Sequence, residues 1–189
     1  MTNGEISTAI RQEAHNLLHN HGLLALLEGF GTPRPHGSYA LDLMAWRDLD
    51  IYLVTDNQSL ADFFSLGANI ASLLQPARMH FRNELLTRSA LPNGLYWGVY
   101  LPGDPGWKID IWQVPQAEFE RLIRYETQIE PRLTPEARRT IVYLKGCFWQ
   151  HPLYRQAFSA RDIYDAVLFE EIEDPDSFVN YLVEKGIHI

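Results

Sequence analysis

Three aspartates and a glycine–serine pair carry the chemistry that this chain can offer. Gly37 and Ser38 are followed, after nine intervening residues, by Asp48-Leu49-Asp50-Ile51. A third acid, Asp110, interrupts the apolar run Trp107-Lys108-Ile109-Asp110-Ile111-Trp112. Side chains two residues apart on a strand leave the same face, which sets the Asp48 and Asp50 Cα atoms about 6.6 Å apart at ~3.3 Å per residue. Carboxylates at that spacing converge on one cation, or on a pair of cations ~3.5–4 Å apart. Magnesium takes one or two carboxylates and fills its shell with phosphate oxygens and water. Asp110 lies between isoleucines that should face a core, a costly place for an acid unless a metal or a hydrogen bond meets it. Glycine at 37 lets backbone approach a phosphate, and the Ser38 hydroxyl and N–H can donate to it. A short helix beginning just after would add a favourable potential for the anion. The combination suits magnesium-assisted transfer from a nucleoside triphosphate.

The elements that must position these groups follow from periodicity. Residues 5–28 read as helix, with Ile6, Ile10, Ala14, Leu17, Leu18, Leu24 and Leu27 as its stripe and a break at Gly22. Gly31-Thr32-Pro33-Arg34-Pro35 reads as a loop because proline cannot continue a helix. A short strand at 36–39 and a helical segment at 41–46 should follow. Over 48–55 the alternation predicts a strand with Leu49, Ile51 and Leu53 on one face and Asp48, Asp50 and Tyr52 on the other. Ser59 with Asp62 forms a capping box for a helix to about Leu74, burying Leu60, Phe63, Phe64, Ile70 and Leu73. Residues 75–93 read as strand plus loop. Strands at 95–101 and 107–114 flank a Pro/Gly-rich turn, a hairpin signal. Beyond 114 the chain reads as helical, with starts at Pro115, Thr134-Pro135, Ser159/Asp162 and Asp174-Pro175. This is an α/β (α+β) layout: a core over 1–114 and a helical C-terminal region over 115–189.

Composition sets outer limits. The chain has 189 residues, a formal net charge of −8 and 46% apolar residues, which fits a globular protein with a substantial core. Its basic residues form no block beyond Arg138-Arg139, and phosphate neutralisation dominates nucleic-acid affinity, so the expectation is against a nucleic-acid partner. A single cysteine, Cys147, excludes an intramolecular disulfide. Neither a signal-peptide pattern over Met1 to Glu13 nor a run of ~18 apolar residues is present, so the expected setting is cytoplasmic, without a membrane.

The ordered set His36-Gly37-Ser38, nine residues, Asp48-Leu49-Asp50-Ile51 and a later Asp110 resembles the DNA polymerase β-like nucleotidyltransferase superfamily. Among its members, the small bacterial aminoglycoside and lincosamide nucleotidyltransferases are similar in size and in having a helical tail. The resemblance covers residues 30–114. It implies a nucleotidyltransferase fold, a small mixed β-sheet flanked by helices. It also implies two Mg²⁺ ions on Asp48, Asp50 and Asp110, a triphosphate on Gly37 and Ser38, and Asp110 as general base. The implied reaction is attack by a hydroxyl of a small molecule or a protein on the α-phosphorus of an NTP, such as ATP, releasing pyrophosphate. Members often hold the triphosphate with a basic residue from the helical region, for which Lys145, Arg138 and Arg139 are the candidates, Lys145 foremost. A protein partner or a homodimer is compatible with this picture.

Blander readings stand beside these. Asp48 and Asp50 can be a solvated strand face, and Asp110 a structural ion pair. Asp42 reads as a helix-surface residue. His15, His19 and His21 lack an identifiable third partner and read as an exposed face. Tyr96, Trp97, Tyr100, Trp107 and Trp112 can stack a base, though strand aromatics more often pack a core. Two other functions remain open: a catalytically silent, NTP- or partner-binding module of toxin–antitoxin type, and a nucleotide-sugar glycosyltransferase built on Asp48-x-Asp50. The second does not call for Gly37-Ser38 or Asp110.

Overall fold

The alternation at 48–54 and 108–114 builds two neighbouring strands at the centre of a five-stranded sheet. The computed structural model describes residues 2–87 and 89–189; Met1, first of the residues scanned for a signal peptide, and Arg88, in the span read as strand plus loop, lie outside the described residues. In chain order the elements are α1 (Asn3–His15), α2 (Leu23–Glu28), β1 (Thr32–His36), α3 (Gly37–Ala40), β2 (Asp48–Val54) and α4 (Leu60–Leu74). There follow β3 (Arg78–Asn83), β4 (Leu95–Tyr100), β5 (Lys108–Val114), α5 (Gln116–Leu122) and α6 (Arg124–Ile129). Three longer helices close the chain: α7 (Pro135–Phe148), α8 (Ala160–Phe169) and α9 (Pro175–Glu184). The chain divides into two compact units, one of residues 11–41 and 47–126, the other of residues through Ile10, 42–46 and 127–189.

The sheet forms the first unit, in the order β1-β2-β5-β4-β3. β2 and β5 are parallel; the remaining neighbours are antiparallel. Leu49, Ile51, Leu53, Val99, Ile109 and Ile111 turn to one face and are fully buried or nearly so. Phe63, Leu66 and Ile70 of α4 are buried as well. The Trp97 indole N–H reaches the Phe63 carbonyl at 3.0 Å, and Gly67 leaves room for the Trp97 ring. The predicted stripe of α4 is therefore partly displaced: Leu60, Phe64 and Leu73 are exposed, and Leu66 and Gly67 take the inward positions. On the opposite face, Trp112, Phe119, Leu122 and Ile123 pack against Tyr52, Val54 and Val114.

Three local expectations give way: the short strand expected over 36–39 stops at His36, where the left-handed Gly37 turns the chain into α3. Residues 32–35, read as part of a loop, belong to β1, because an edge strand tolerates prolines whose missing N–H would otherwise interrupt a ladder. The segment 41–46 is not helical; its backbone turns through Asp42 at φ 57°. The break at Gly22 is real, with φ 79°, and a π-helical turn at Asn16–Asn20 precedes it. The offset moves the buried position from Leu24 to Leu23.

In the second unit the capping signals hold. Thr134 accepts the Ala137 N–H at 3.1 Å, Ser159 and Asp162 form a reciprocal capping box, and Asp174 accepts the Ser177 N–H at 3.0 Å. Ile141, Leu144, Phe148, Phe158, Ile163, Phe178 and Leu182 are buried. Among the described residues no helix is long and apolar enough to cross a membrane.

Candidate active site

Strand pairing sorts the site face of the sheet into three cross-strand rows. The middle row runs His36, Asp50, Asp110, Gly98, His80. On one side of it lie Arg34, Tyr52, Trp112, Tyr96 and Arg82; on the other lie Asp48, Lys108, Tyr100 and Arg78. Because side chains alternate along a strand, all of these share one face while the aliphatic residues between them fill the opposite core. The three predicted aspartates are thus brought together: Asp50 and Asp110 are direct partners across the parallel pair, and Asp48 lies two residues before Asp50.

Their surroundings are only partly wet. Asp48 is 8% exposed. Burial, and then the neighbouring Asp48 charge, push the Asp50 carboxyl up to about 6. Tyr96 donates to Asp110 Oδ1 at 2.8 Å, and burial holds its phenol protonated, above the usual tyrosine range. Lys108 Nζ lies 3.5 Å from Asp48 Oδ1 and in direct contact with Asp110 Oδ2. Just outside the rows, the Arg47 guanidinium donates to both oxygens of Glu13 at 2.6 and 2.8 Å, and Trp107 Nε1 donates to Glu13 at 3.3 Å. This fixes the residues that immediately precede Asp48 and Lys108.

Gly37 opens α3 beside the middle row. Its φ is 63°, and a Cβ there would lie 3.0 Å from Asp50 Oδ2, so both conformation and space call for glycine. The Gly37 N–H donates to both Glu126 oxygens at 3.1 and 3.2 Å, and His36 Nδ1 lies 3.1 Å from Glu126 Oε1. The His36 ring stacks on Tyr52 at 3.8 Å and 7°. This turn accepts an anionic group: a carboxylate already rests in it. Ser38 lies in the same helix, next to that glycine.

Do these residues fit magnesium? Among the described residues, no three carboxylate, imidazole or thiolate groups close into a ready-made cage. The donor set is hard oxygen on adjacent strands, and an ammonium already stands in as the cation between Asp48 and Asp110. That arrangement fits a divalent ion that takes part of its shell from phosphate and water.

A cavity of about 310 Å³ adjoins Asp110 and is lined by His80, Arg82, Tyr96, Tyr100 and Trp112. The Tyr96 and Trp112 rings lie 4.7 Å apart. Sequence reasoning missed Lys108, His80, Arg82 and Glu126. The Lys108-x-Asp110 spacing is a usable signal, since it puts both side chains on one face; Glu126 has no counterpart signal in the sequence. Lys145 calls for a correction. It belongs to the other unit and is wholly buried, donating to the Leu43 carbonyl at 2.6 Å and to Tyr164 at 3.2 Å. An ammonium with no exposed surface has no access to a phosphate. His15, His19 and His21 are exposed, and the His15 ring lies 4.2 Å from that of His19. Asp42 is exposed too.

The mixed sheet with helices around it is a nucleotidyltransferase fold, as the solved structures that resemble it show. A cytoplasmic RNA terminal U-transferase superposes with a TM-score of 0.59 at 14% identity, covering 86% of this chain and 49% of that one. The RNA terminal uridylyl transferase Cid1 gives 0.56 at 13% identity, with coverage of 86% and 49%. The polymerase core of TRAMP, an RNA surveillance complex, gives 0.51 at 14% identity, with coverage of 96% and 63%. The chain thus spans about half of the length of the first two structures and less than two thirds of the third. No family model and no curated protein matches the chain.

These likenesses overturn the expectation against nucleic acid, since the three proteins are transferases and a polymerase of RNA metabolism. That expectation rested on a net charge summed over the whole surface, which says nothing of a local field. Locally, β3 lines up Arg78, His80 and Arg82 on the site face. The likenesses also do not single out the small antibiotic-modifying transferases named from sequence.

Proposed function

We propose that this protein transfers a nucleoside monophosphate from an NTP to a hydroxyl group and releases pyrophosphate. The observation that carries this reading is the placement of Asp48, Asp50 and Asp110 on one sheet face, beside an anion-accepting turn at Gly37. The acceptor oxygen attacks the α-phosphorus, the bond from that phosphorus to the bridging oxygen breaks, and pyrophosphate leaves with the bond electrons. Asp110, on the floor of the cavity, takes the hydroxyl proton. Tyr96 holds that carboxylate in place. Gly37 and Ser38 hold the triphosphate once Glu126 has yielded the turn. Asp48, Asp50 and Asp110 are the residues to hold magnesium, which when bound stabilises charge on the phosphates and lowers the acceptor pKa.

The lining of the cavity supports one reading of the acceptor. Tyr96, Tyr100 and Trp112 offer faces for a flat ring, and Arg82 and His80 offer positive charge for an anion. A ring, a phosphate and a hydroxyl together describe a nucleotide unit, and the RNA terminal transferases that share the fold support an RNA terminus as its source. Thermal melts with each of the four NTPs, with and without Mg²⁺, test the donor half. At ~100 times the dissociation constant a ligand adds about 2.7 kcal/mol, enough for a clear shift. Labelled NTP with a short oligoribonucleotide tests the acceptor half. A Mg²⁺-dependent shift that Asp48→Ala removes, together with labelled RNA, is the expected result. No shift with any NTP would overturn the reading in favour of a silent binding module.

A further inference from the structure

Acidic residues outnumber lysine and arginine in this chain by 24 to 16, yet every side chain that β3 turns to the site face is basic: Arg78, His80 and Arg82. All three are exposed, and the less exposed Met79 and Phe81 between them turn to the other face. Successive members stand about 6.6–6.8 Å apart, at ~3.3–3.4 Å per residue. β3 is the last strand on its side of the sheet, and neither it nor β4 contains an acidic residue. The Arg78 guanidinium lies 4.0 Å from the centre of the Tyr100 ring, and the His80 ring meets that of Tyr96 edge-on at 6.3 Å. Arg82 has Glu84 at 3.7 Å, but the other oxygen of that carboxylate is taken by Thr87 and Ser89. Charges that only guard a sheet edge against pairing serve with either sign. A row of one sign along an open edge fits a polyanion.

The row also has a place in the proposed reaction. The turn at Gly37 adjoins Asp50, on the β1–β2 side of Asp110, and the cavity lies on the β4–β3 side. Donor and acceptor therefore reach Asp110 from opposite sides, which suits a displacement with its attacking and leaving oxygens in line. His80 and Arg82 line the cavity; Arg78 stands beyond it on the same strand. We infer that β3 is a track for the backbone of a single-stranded RNA acceptor, with His80 and Arg82 on the phosphate of the terminal nucleotide and Arg78 on the phosphate before it. This rests on the reading of the cavity as the acceptor's seat. Phosphate contacts carry no sequence information, so the track serves acceptors of any base composition alike.

The test is the binding of fluorescein-labelled hexaadenylate and hexauridylate to the full chain, read by fluorescence anisotropy over a range of salt and without NTP. Each phosphate contact on a single strand adds about 0.7 to the slope of log affinity against log salt. Arg78→Gln and Arg82→Gln should each weaken binding and lower that slope by about 0.7 on both oligomers. Arg78→Lys and Arg82→Lys keep the charge and should keep the slope. A dinucleoside monophosphate, with its single phosphate, should bind the unaltered and Arg78→Gln proteins alike and lose affinity for Arg82→Gln. Arg161→Gln, which changes an exposed arginine of α8, should leave the slope as it is. An unchanged slope in both glutamine variants of β3, an equal loss in Arg161→Gln, or no binding by the unaltered protein would each overturn the proposal. Binding with the expected losses but no labelled product from any NTP would leave the track standing and remove the transfer reading.

Discussion

Gly98 stands directly opposite Asp110 across β4 and β5, and the space left by its absent side chain is taken by the Tyr96 hydroxyl that donates to Asp110. A Cβ at position 98 would lie 2.4 Å from that hydroxyl, so Gly98→Ala must push the phenol away. A hydrogen bond to a charged group is worth about 1.5–3 kcal/mol. Gly98→Ala and Tyr96→Phe should therefore each lower turnover on the order of 10–100-fold, at about 1.4 kcal/mol per factor of ten. Steady-state kinetics on both variants check this; normal turnover in either would show that Asp110 does not depend on Tyr96.

Gly37→Ala faces two obstacles at once, a left-handed backbone and a carboxylate oxygen 3.0 Å from the new carbon. The left-handed conformation alone costs roughly 1–2 kcal/mol for a residue with a Cβ. The variant should melt at a lower temperature and lose the Mg²⁺–NTP shift. A retained shift would mean that the triphosphate does not use this turn.

The Glu13–Arg47 pair gives the acid limb of the stability curve a definite sign. The hydrogen bonds and charge of Arg47 hold the Glu13 carboxyl below its ordinary value despite some burial. A depressed carboxyl contributes stability that is fully present above the unfolded pKa of ~4.3 and is lost as pH falls through the lower folded value. Glu13 is 40% exposed, so solvent screening limits the contribution to about 1 kcal/mol or less. Melting temperature against pH should fall less steeply below about pH 4.3 in Glu13→Gln than in the unaltered protein. Parallel curves would mean that the pair adds nothing.

Lys145→Ala separates a structural lysine from a phosphate-binding one. The substitution leaves the Leu43 carbonyl without this donor and opens a cavity in a buried site. Losses of about 2–5 kcal/mol are typical of large-to-small changes in a core. The melting temperature should drop while the protein that remains folded keeps its full Mg²⁺–NTP shift. Loss of the shift at unchanged stability would return Lys145 to the triphosphate.

The central strands were legible because a period of two is hard to imitate: Leu49, Ile51 and Leu53 against Asp48, Asp50 and Tyr52 leaves one solution. Caps at Thr134, Ser159 and Asp174 were legible because each is a local bond between near neighbours. The strand through Pro33 and Pro35 was not, since only its position at the sheet edge makes those prolines harmless, and an edge is a property of the assembled sheet. Glu126 stayed hidden for the same reason. It meets Gly37 across 89 residues of chain, and nothing in its own neighbourhood marks it out. His80 and Arg82 were passed over because register alone brings them to the face that holds Asp110.

The parallel pairing of β2 with β5 has a consequence for how the chain becomes functional. Asp50 and Asp110 lie on strands that a nascent chain must bring together over some sixty residues, and β4 joins β5 on its far side. Long-range closures of this kind are slow because chain entropy is spent before any contact rewards it. No earlier, more local step can assemble the aspartate pair, so a chain released before β5 has none of it. The proposed activity would accordingly be a late reporter, and a refolding experiment scored by nucleotide transfer should lag one scored by helix content.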